Sequence, residues 1–325
     1  MKKAAVLVVT IAAAAVFATL LTHQVPVSAA TPNQPVYKAD GKLTLPANYR
    51  EWVFLTSGLG MNYSTGTGGP QLFTNVYVSP EAYREFKSSG KWPDKSMYVV
   101  EIYSPATHGS INKGGHYQNA YMGLDIEVKD SSRPQEWSYY NFNPGESMAA
   151  AFPAGNGCLK CHSENAAVDH TFVQFYPTLL DFAVGKNLIK PGVSIPLNLT
   201  RFQKIVLDSG WEKAEQAFYE DRKKNPESDL LDLHSLQMLA GYLENQNRAG
   251  DALKVMALAT RQWPTLALPY EELAQRYRNA SQPELSLETS RKELALLDSD
   301  STLSDAQKKR LREMAEKRVA ELSKK

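Results

Sequence analysis

Met97-Tyr98-Val99-Val100-Glu101-Ile102-Tyr103 and Tyr121-Met122-Gly123-Leu124-Asp125-Ile126-Glu127-Val128 decide the fold of the N-terminal part of this chain. Both runs are rich in β-branched and aromatic residues, which suit the pleated, half-buried surface of a strand. Similar runs read as strands at Arg50 to Thr56, Phe73 to Val78 and Glu136 to Phe142. The segments between them carry Gly58, Gly60, Gly66, Gly68, Gly69 and Pro70, and later Gly109, Gly114 and Gly115, as turns and loops require. One helix is inserted at Pro80 to Ser89, with its proline in the first turn, where a missing N–H costs nothing. The expected architecture is an antiparallel sheet sandwich with a few helices.

The pattern changes after Lys190-Pro191-Gly192, a turn signal that reads as a linker. Trp211, Ala214, Ala217 and Phe218 share one helical face, and Pro226 stops that helix. Leu236, Leu239, Ala240, Leu243, Ala252, Met256, Ala259 and Pro264 fall at the spacing of the tetratricopeptide template. Tyr270, Leu273, Ala274 and Tyr277 repeat the first four of these positions 34 residues later. Ser286 and Ser290 stand where the template expects Ala and a larger apolar group. Asp305 to Lys325 reads as a charged helix that either caps the array or frays. The fold class is therefore α+β: a mainly antiparallel β-sheet domain over 31–189, then an all-α domain over 190–325. The latter is either tetratricopeptide-like or a plain helical bundle.

Cys158-Leu159-Lys160-Cys161-His162 is the strongest chemical signal. Two thiols three positions apart can add across the two vinyl groups of one haem, and the adjacent imidazole then reaches the iron. These are the only two cysteines in the chain. A disulfide across so short a loop would gain little entropy. A redox dithiol would be expected in a βαβ setting that is absent here. A zinc site would need two further ligands, of which only His170 is close in sequence. The expected cofactor is one covalently attached haem c per chain, bound through Cys158 and Cys161 with His162 on the iron. No Met occurs from Ser163 to Gly185, which disfavours a Met-ligated electron carrier; Met122 and Met148 lie upstream. His108 and His116, in a glycine-rich loop, are candidates for a sixth ligand, and His170 for packing or a propionate contact.

Lys2 and Lys3, an apolar run to about Leu21, and Ser28-Ala29-Ala30 together read as a secretory signal peptide over 1–30. An uncleaved anchor helix is the alternative. No later stretch is apolar enough to span a bilayer, so the expected location is periplasmic or secreted. A net charge of +1 offers no strong basic field, which argues against nucleic acid as a partner.

Several pieces, in order along the domain, resemble the cytochrome P-460 family, which includes the cytochromes c′-β. They are Leu45-Pro46 with Tyr49-Arg50-Glu51-Trp52; Val76-Tyr77-Val78 before Pro80; Gly90-Lys91-Trp92-Pro93-Asp94; Glu101; Gly123-Leu124 before Val128-Lys129-Asp130; Trp137 with Tyr139; Cys158 to His162 with Glu164-Asn165; and Asp169 with Phe172 and Phe175-Tyr176-Pro177. The resemblance covers about residues 40 to 180 and implies a mainly antiparallel sheet with a five-coordinate haem iron on a proximal His. Members bind small gases such as nitric oxide and carbon monoxide or oxidise hydroxylamine. In the hydroxylamine-oxidising members a lysine is cross-linked to haem just before the glutamate that matches Glu101. That place is held here by Val99-Val100, and Lys95 is too far back along the strand. The resemblance also implies a distal carboxylate that handles protons, matched by Asp125, the expected catalytic residue. On a half-exposed strand Asp125 could equally alternate outward. Phe54 and Phe73 are candidate pocket aromatics, and Val99 and Val100 are expected to make the distal face apolar.

The leading expectation is an exported monohaem c-type cytochrome that binds a small gaseous or nitrogen-oxide ligand. A haem oxidoreductase acting on hydroxylamine or peroxide, and an electron carrier docked through its helical repeats, are the alternatives. Repeat arrays present a concave surface, so the helical domain is expected to bind a protein partner or a second copy of the chain.

Overall fold

The structure, a computed structural model, describes residues 33–61 and 71–324. The signal peptide expected over 1–30 lies outside them. The chain divides into two compact units between Pro191 and Gly192.

The first unit is built on a five-stranded antiparallel sheet. Its strands are β2 (Val53–Leu59), β3 (Phe73–Val78), β4 (Met97–Ala106), β5 (Tyr117–Lys129) and β6 (Trp137–Phe142), and they neighbour one another in chain order. Two short strands, β1 (Leu43–Thr44) and β7 (Met148–Ala149), pair separately. The expected sandwich of two large sheets is thus corrected to one meander. Its two faces differ in character. On one, Met97, Val99, Leu124, Ile126, Val128, Tyr140 and Phe142 pack with Leu43, Tyr49 and Trp52 into the core. The other faces a cavity. Arg50, expected in a strand, lies in a single 3-10 turn, Tyr49–Glu51. That turn serves the core face: Tyr49 Oη donates to buried Glu101 at 2.6 Å, and the Arg50 guanidinium pairs with the same carboxylate at 2.6 Å.

Helix α1 (Pro80–Ser89) forms where expected, with its proline in the first turn and Gly90 closing it at φ +77°. Gly123 has φ +119°, and a Cβ there would stand 2.6 Å from the Phe142 carbonyl oxygen. Only glycine fits that approach of β5 to β6. Two further helices, α2 (Gly157–Asn165) and α3 (Pro177–Gly185), complete the unit.

The second unit consists of helices α4 (Leu199–Ser209), α5 (Trp211–Lys224), α6 (Leu233–Asn245), α7 (Ala249–Gln262), α8 (Leu268–Asn279), α9 (Pro283–Leu296) and α10 (Asp305–Leu322). α6 and α8 begin at Leu233 and Leu268, and α7 and α9 at Ala249 and Pro283, close to the repeat period read from sequence. Leu236, Leu239, Ala240, Leu243, Ala252, Met256 and Ala259 are buried together, as their spacing predicts. Ser286 and Ser290 are buried too, despite being polar. Their hydroxyls are satisfied: Ser286 donates to the Ala274 carbonyl and Ser290 to that of Ser286, each at 2.8 Å. The volume missing at Ser290 is filled by Arg318 of α10, whose Nε donates to the Ser290 hydroxyl at 2.8 Å. Arg318 Nη2 also donates to buried Glu293 at 2.8 Å. The terminal helix therefore caps the array through a buried ion pair.

Candidate functional site

Strand alternation sends residues i and i+2 to the same side of a sheet. On the non-core face this gathers Thr74 and Val76 of β3, Val100 of β4, Asp125 and Glu127 of β5 and Tyr139 of β6, with Thr56 of β2 at the edge. Opposite this face stand Cys158 and His162 of α2, and Phe152, Phe172, Phe175 and Tyr176 from flanking segments. Between them lies about 910 Å³ of empty space, part of it open to solvent.

Helix α2 starts where the Asn156 side chain accepts a bond from the Leu159 amide at 2.9 Å, a standard N-cap. The cap fixes the turn that carries Cys158, Cys161 and His162. Both cysteines are free thiols; Cys158 is exposed along the cavity and Cys161 is half-buried. Burial, with Asp125 and Glu127 nearby, raises the Cys158 pKa, so its thiol stays protonated at neutral pH.

His162 is held on several sides. Its ring meets Tyr139 edge-on at 4.9 Å and Phe172 at 4.6 Å. Its Nδ1 lies 2.8 Å from the His170 carbonyl oxygen. A carbonyl only accepts, so Nδ1 carries the proton and the neutral ring keeps its lone pair on Nε2. Burial pushes the imidazole below its ordinary range and favours this neutral form. Nε2 lies toward the sheet, 3.5 Å from Glu127 Oε1.

Asp125 does line the cavity, half-buried, and accepts from Asn141 Nδ2 at 2.8 Å. Burial raises its pKa, against the lowering effect of that bond. Glu127, which the sequence reading passed over, is deeper. Burial and the Asp125 charge push it up to about 8. The signal for it was available: it sits two residues from Asp125 on the same strand.

Other expectations are corrected. Phe54 and Phe73 do not line the cavity; Phe54 is half exposed and packs edge-on against Tyr77 at 5.7 Å. The register shift between Phe54 and Thr56 turns Thr56, rather than Phe54, toward the cavity. Val99 points into the opposite core, leaving Val76 and Val100 as apolar residues on a wall that also carries Thr74, Asp125, Glu127 and Tyr139, so the face is mixed rather than apolar. His108 and His116 are exposed and do not line the cavity. Met122 and Met148 are also exposed, whereas Met61, unremarked in the sequence, sits at the cavity edge. Lys95 is paired with Asp130, away from the cavity.

The residues present fit a haem. The thiols and imidazole share one helix, six aromatic side chains line the cavity, and Nε2 is the nitrogen turned toward it, where iron would take the place that Glu127 now approaches at 3.5 Å. Among the described residues the buried Tyr139 hydroxyl at the wall has no hydrogen-bond partner. A buried polar group left so costs about 1–3 kcal/mol, which a polar atom in the cavity would offset. Among the described residues, no group of three or more His, Cys, Asp or Glu is arranged to hold a metal ion. No helix of these residues is long and apolar enough to cross a membrane.

The Cytochrome P460 family model matches residues 46–173. The matched segment holds the five-stranded sheet and helix α2, so it supports a haem cytochrome in this part of the chain. It does not reach the helical unit, whose likeness to tetratricopeptide repeats rests on period and buried positions alone. No curated protein matches the chain.

Proposed function

We propose that this chain is an exported monohaem c-type cytochrome, with haem bonded to Cys158 and Cys161 and its iron on His162, that binds a small ligand such as nitric oxide. The observation that carries this reading is the orientation of His162, whose Nδ1 is occupied by the His170 carbonyl and whose Nε2 lies toward an aromatic-walled cavity beside Cys158. Bound haem would supply an iron centre able to take up a diatomic ligand or exchange an electron.

The chain's own residues would do the rest. Phe172, Phe175 and Tyr176 line the cavity with the imidazole, and Val76 and Val100 share the sheet wall with Thr74, Asp125, Glu127 and Tyr139. Export fits thioether attachment, which takes place outside the cytoplasm. The helical unit would dock a protein partner or a second copy.

A second reading, an oxidoreductase acting on hydroxylamine or peroxide, is favoured by one feature. Glu127 keeps its proton near neutral pH and Asp125 lies beside it on the same strand, so the pair can hold and pass a proton inside the cavity.

Optical spectra of the purified protein, ferric and then ferrous, with and without nitric oxide, test the proposal. The expected result is a high-spin five-coordinate haem that binds nitric oxide. A low-spin six-coordinate ferrous spectrum would contradict it and point to Met61 and an electron carrier.

A further inference from the structure

The His170 carbonyl that holds His162 belongs to an unusual turn. Asp169 and His170 both adopt left-handed backbone, at φ +40° and +63°. Neither is glycine, and two consecutive residues of this kind persist only where surroundings enforce them. Val168 and Thr171 close the turn as an antiparallel bridge, with Thr171 N donating to the Val168 carbonyl at 2.7 Å. This is the geometry of a two-residue hairpin with both central residues at positive φ.

The turn is anchored from two directions. Trp137 Nε1 donates to Asp169 Oδ1 at 3.1 Å, and Lys129 Nζ donates to Asp169 Oδ2 at 2.7 Å. Lys129 is itself fixed by the Trp92 carbonyl at 3.1 Å. On the far side, Trp92 Nε1 donates to Thr171 Oγ1 at 2.9 Å, and that hydroxyl donates to the Val168 carbonyl at 2.6 Å. The sheet, through Trp137 and Lys129, and the loop before β4, through Trp92, thus grip both ends of the turn. The turn offers α2 a main-chain acceptor, the His170 carbonyl.

We propose that Asp169 is a positioning residue for His162. Anchored by Trp137 and Lys129, it fixes the turn whose carbonyl binds Nδ1–H, and so sets how strongly the imidazole donates to a metal on Nε2. A short Nδ1–H bond to this carbonyl would raise the basicity of Nε2, which would strengthen its bond to haem iron and favour the ferric state. The inference rests on the haem reading above.

The experiment uses the haem-loaded full chain and three variants. Trp137→Phe removes the donor to Asp169 without changing net charge. Asp169→Gly adopts positive φ freely and loses both anchors, so it remains informative where the larger indole cannot be spared. His234→Asn, at an exposed position of the helical unit, is the control. Readouts are haem content, the iron–histidine stretching band of the ferrous protein by resonance Raman, and the midpoint potential. Trp137→Phe and Asp169→Gly should shift the band to lower frequency and raise the potential, while His234→Asn should leave both in place. A roughly tenfold loss of preference for ferric iron reads as a rise of about 59 mV. Wild-type band positions in the first two variants, with haem bound and histidine on the iron, would overturn the inference. Absence of haem or of any iron–histidine band in the unmodified protein would instead overturn the reading beneath it.

Discussion

Glu127 Oε1 stands 3.5 Å from Nε2 of His162, and both side chains are withdrawn from solvent. The carboxyl is pushed up to about 8 by burial, so near neutral pH it faces the imidazole largely uncharged. A neutral acid in a cavity can donate a hydrogen bond or a proton, whereas an ionised one would only accept.

The two functional readings diverge at this residue. Glu127→Gln preserves shape and removes the transferable proton. If the chain only binds gases, carbon monoxide affinity of the ferrous variant should stay within about threefold of wild type. If it turns over hydroxylamine, kcat should fall by about 10²-fold or more, as loss of a positioned acid–base group does. Stopped-flow carbon monoxide binding and a hydroxylamine turnover assay separate the cases. Asp125→Asn should behave in the same way but more weakly, because that carboxylate is less buried.

Gly123 sets the approach of β5 to β6 and thereby the placement of Asp125 and Glu127. Gly123→Ala meets the Phe142 carbonyl and a backbone φ of +119°. The expected loss of stability is on the order of 1–3 kcal/mol, measured by urea unfolding of the first unit's aromatic signal. An unchanged midpoint would show that the strand relaxes around the new methyl.

Arg318 and Glu293 are 2 % and 0 % exposed. Removing one partner of a buried pair strands the other, so Arg318→Met should cost about 3–5 kcal/mol. The double variant Arg318→Met with Glu293→Leu should recover most of that loss, since packed apolar residues commonly replace a buried pair without penalty. Chemical unfolding followed by far-ultraviolet circular dichroism reads both.

The same cluster makes the helical unit sensitive to pH. Burial raises Glu293 to about 7 despite Arg318, and also raises Glu271, which faces Arg318 and Arg276. A carboxyl whose folded pKa lies above its unfolded value binds more protons when folded, so stability falls as pH rises between the two values. For Glu293 the loss should run from the ordinary glutamate range near 4.5 up to about 7 and then level off. Glu293→Gln should flatten that slope in thermal melts; an equally steep slope would place its origin elsewhere.

How much of this was legible in the sequence depended on distance along the chain. Cys158, Cys161 and His162 lie within one helical turn, so a local motif specified them together. Asp125 was found through its neighbours, and the period of the strand would have yielded Glu127 as well. Val99 and Val100 were read as a unit, although adjacent strand residues must face opposite ways. Phe54 was misplaced because the register shift before Thr56 leaves no mark in composition. Tyr139, Phe172 and Tyr176 come from separate elements brought together by tertiary packing. Ser290 broke the repeat pattern for a reason that only Arg318, 28 residues beyond it, supplies.

The covalent link carries everything else, and intact-mass spectrometry of the denatured protein tests it most directly. Chain produced in a host with working c-type maturation should weigh the processed polypeptide plus one haem, and Cys158→Ala combined with Cys161→Ala should lose that increment. A mass equal to the bare polypeptide in the unsubstituted protein would contradict haem attachment at these cysteines.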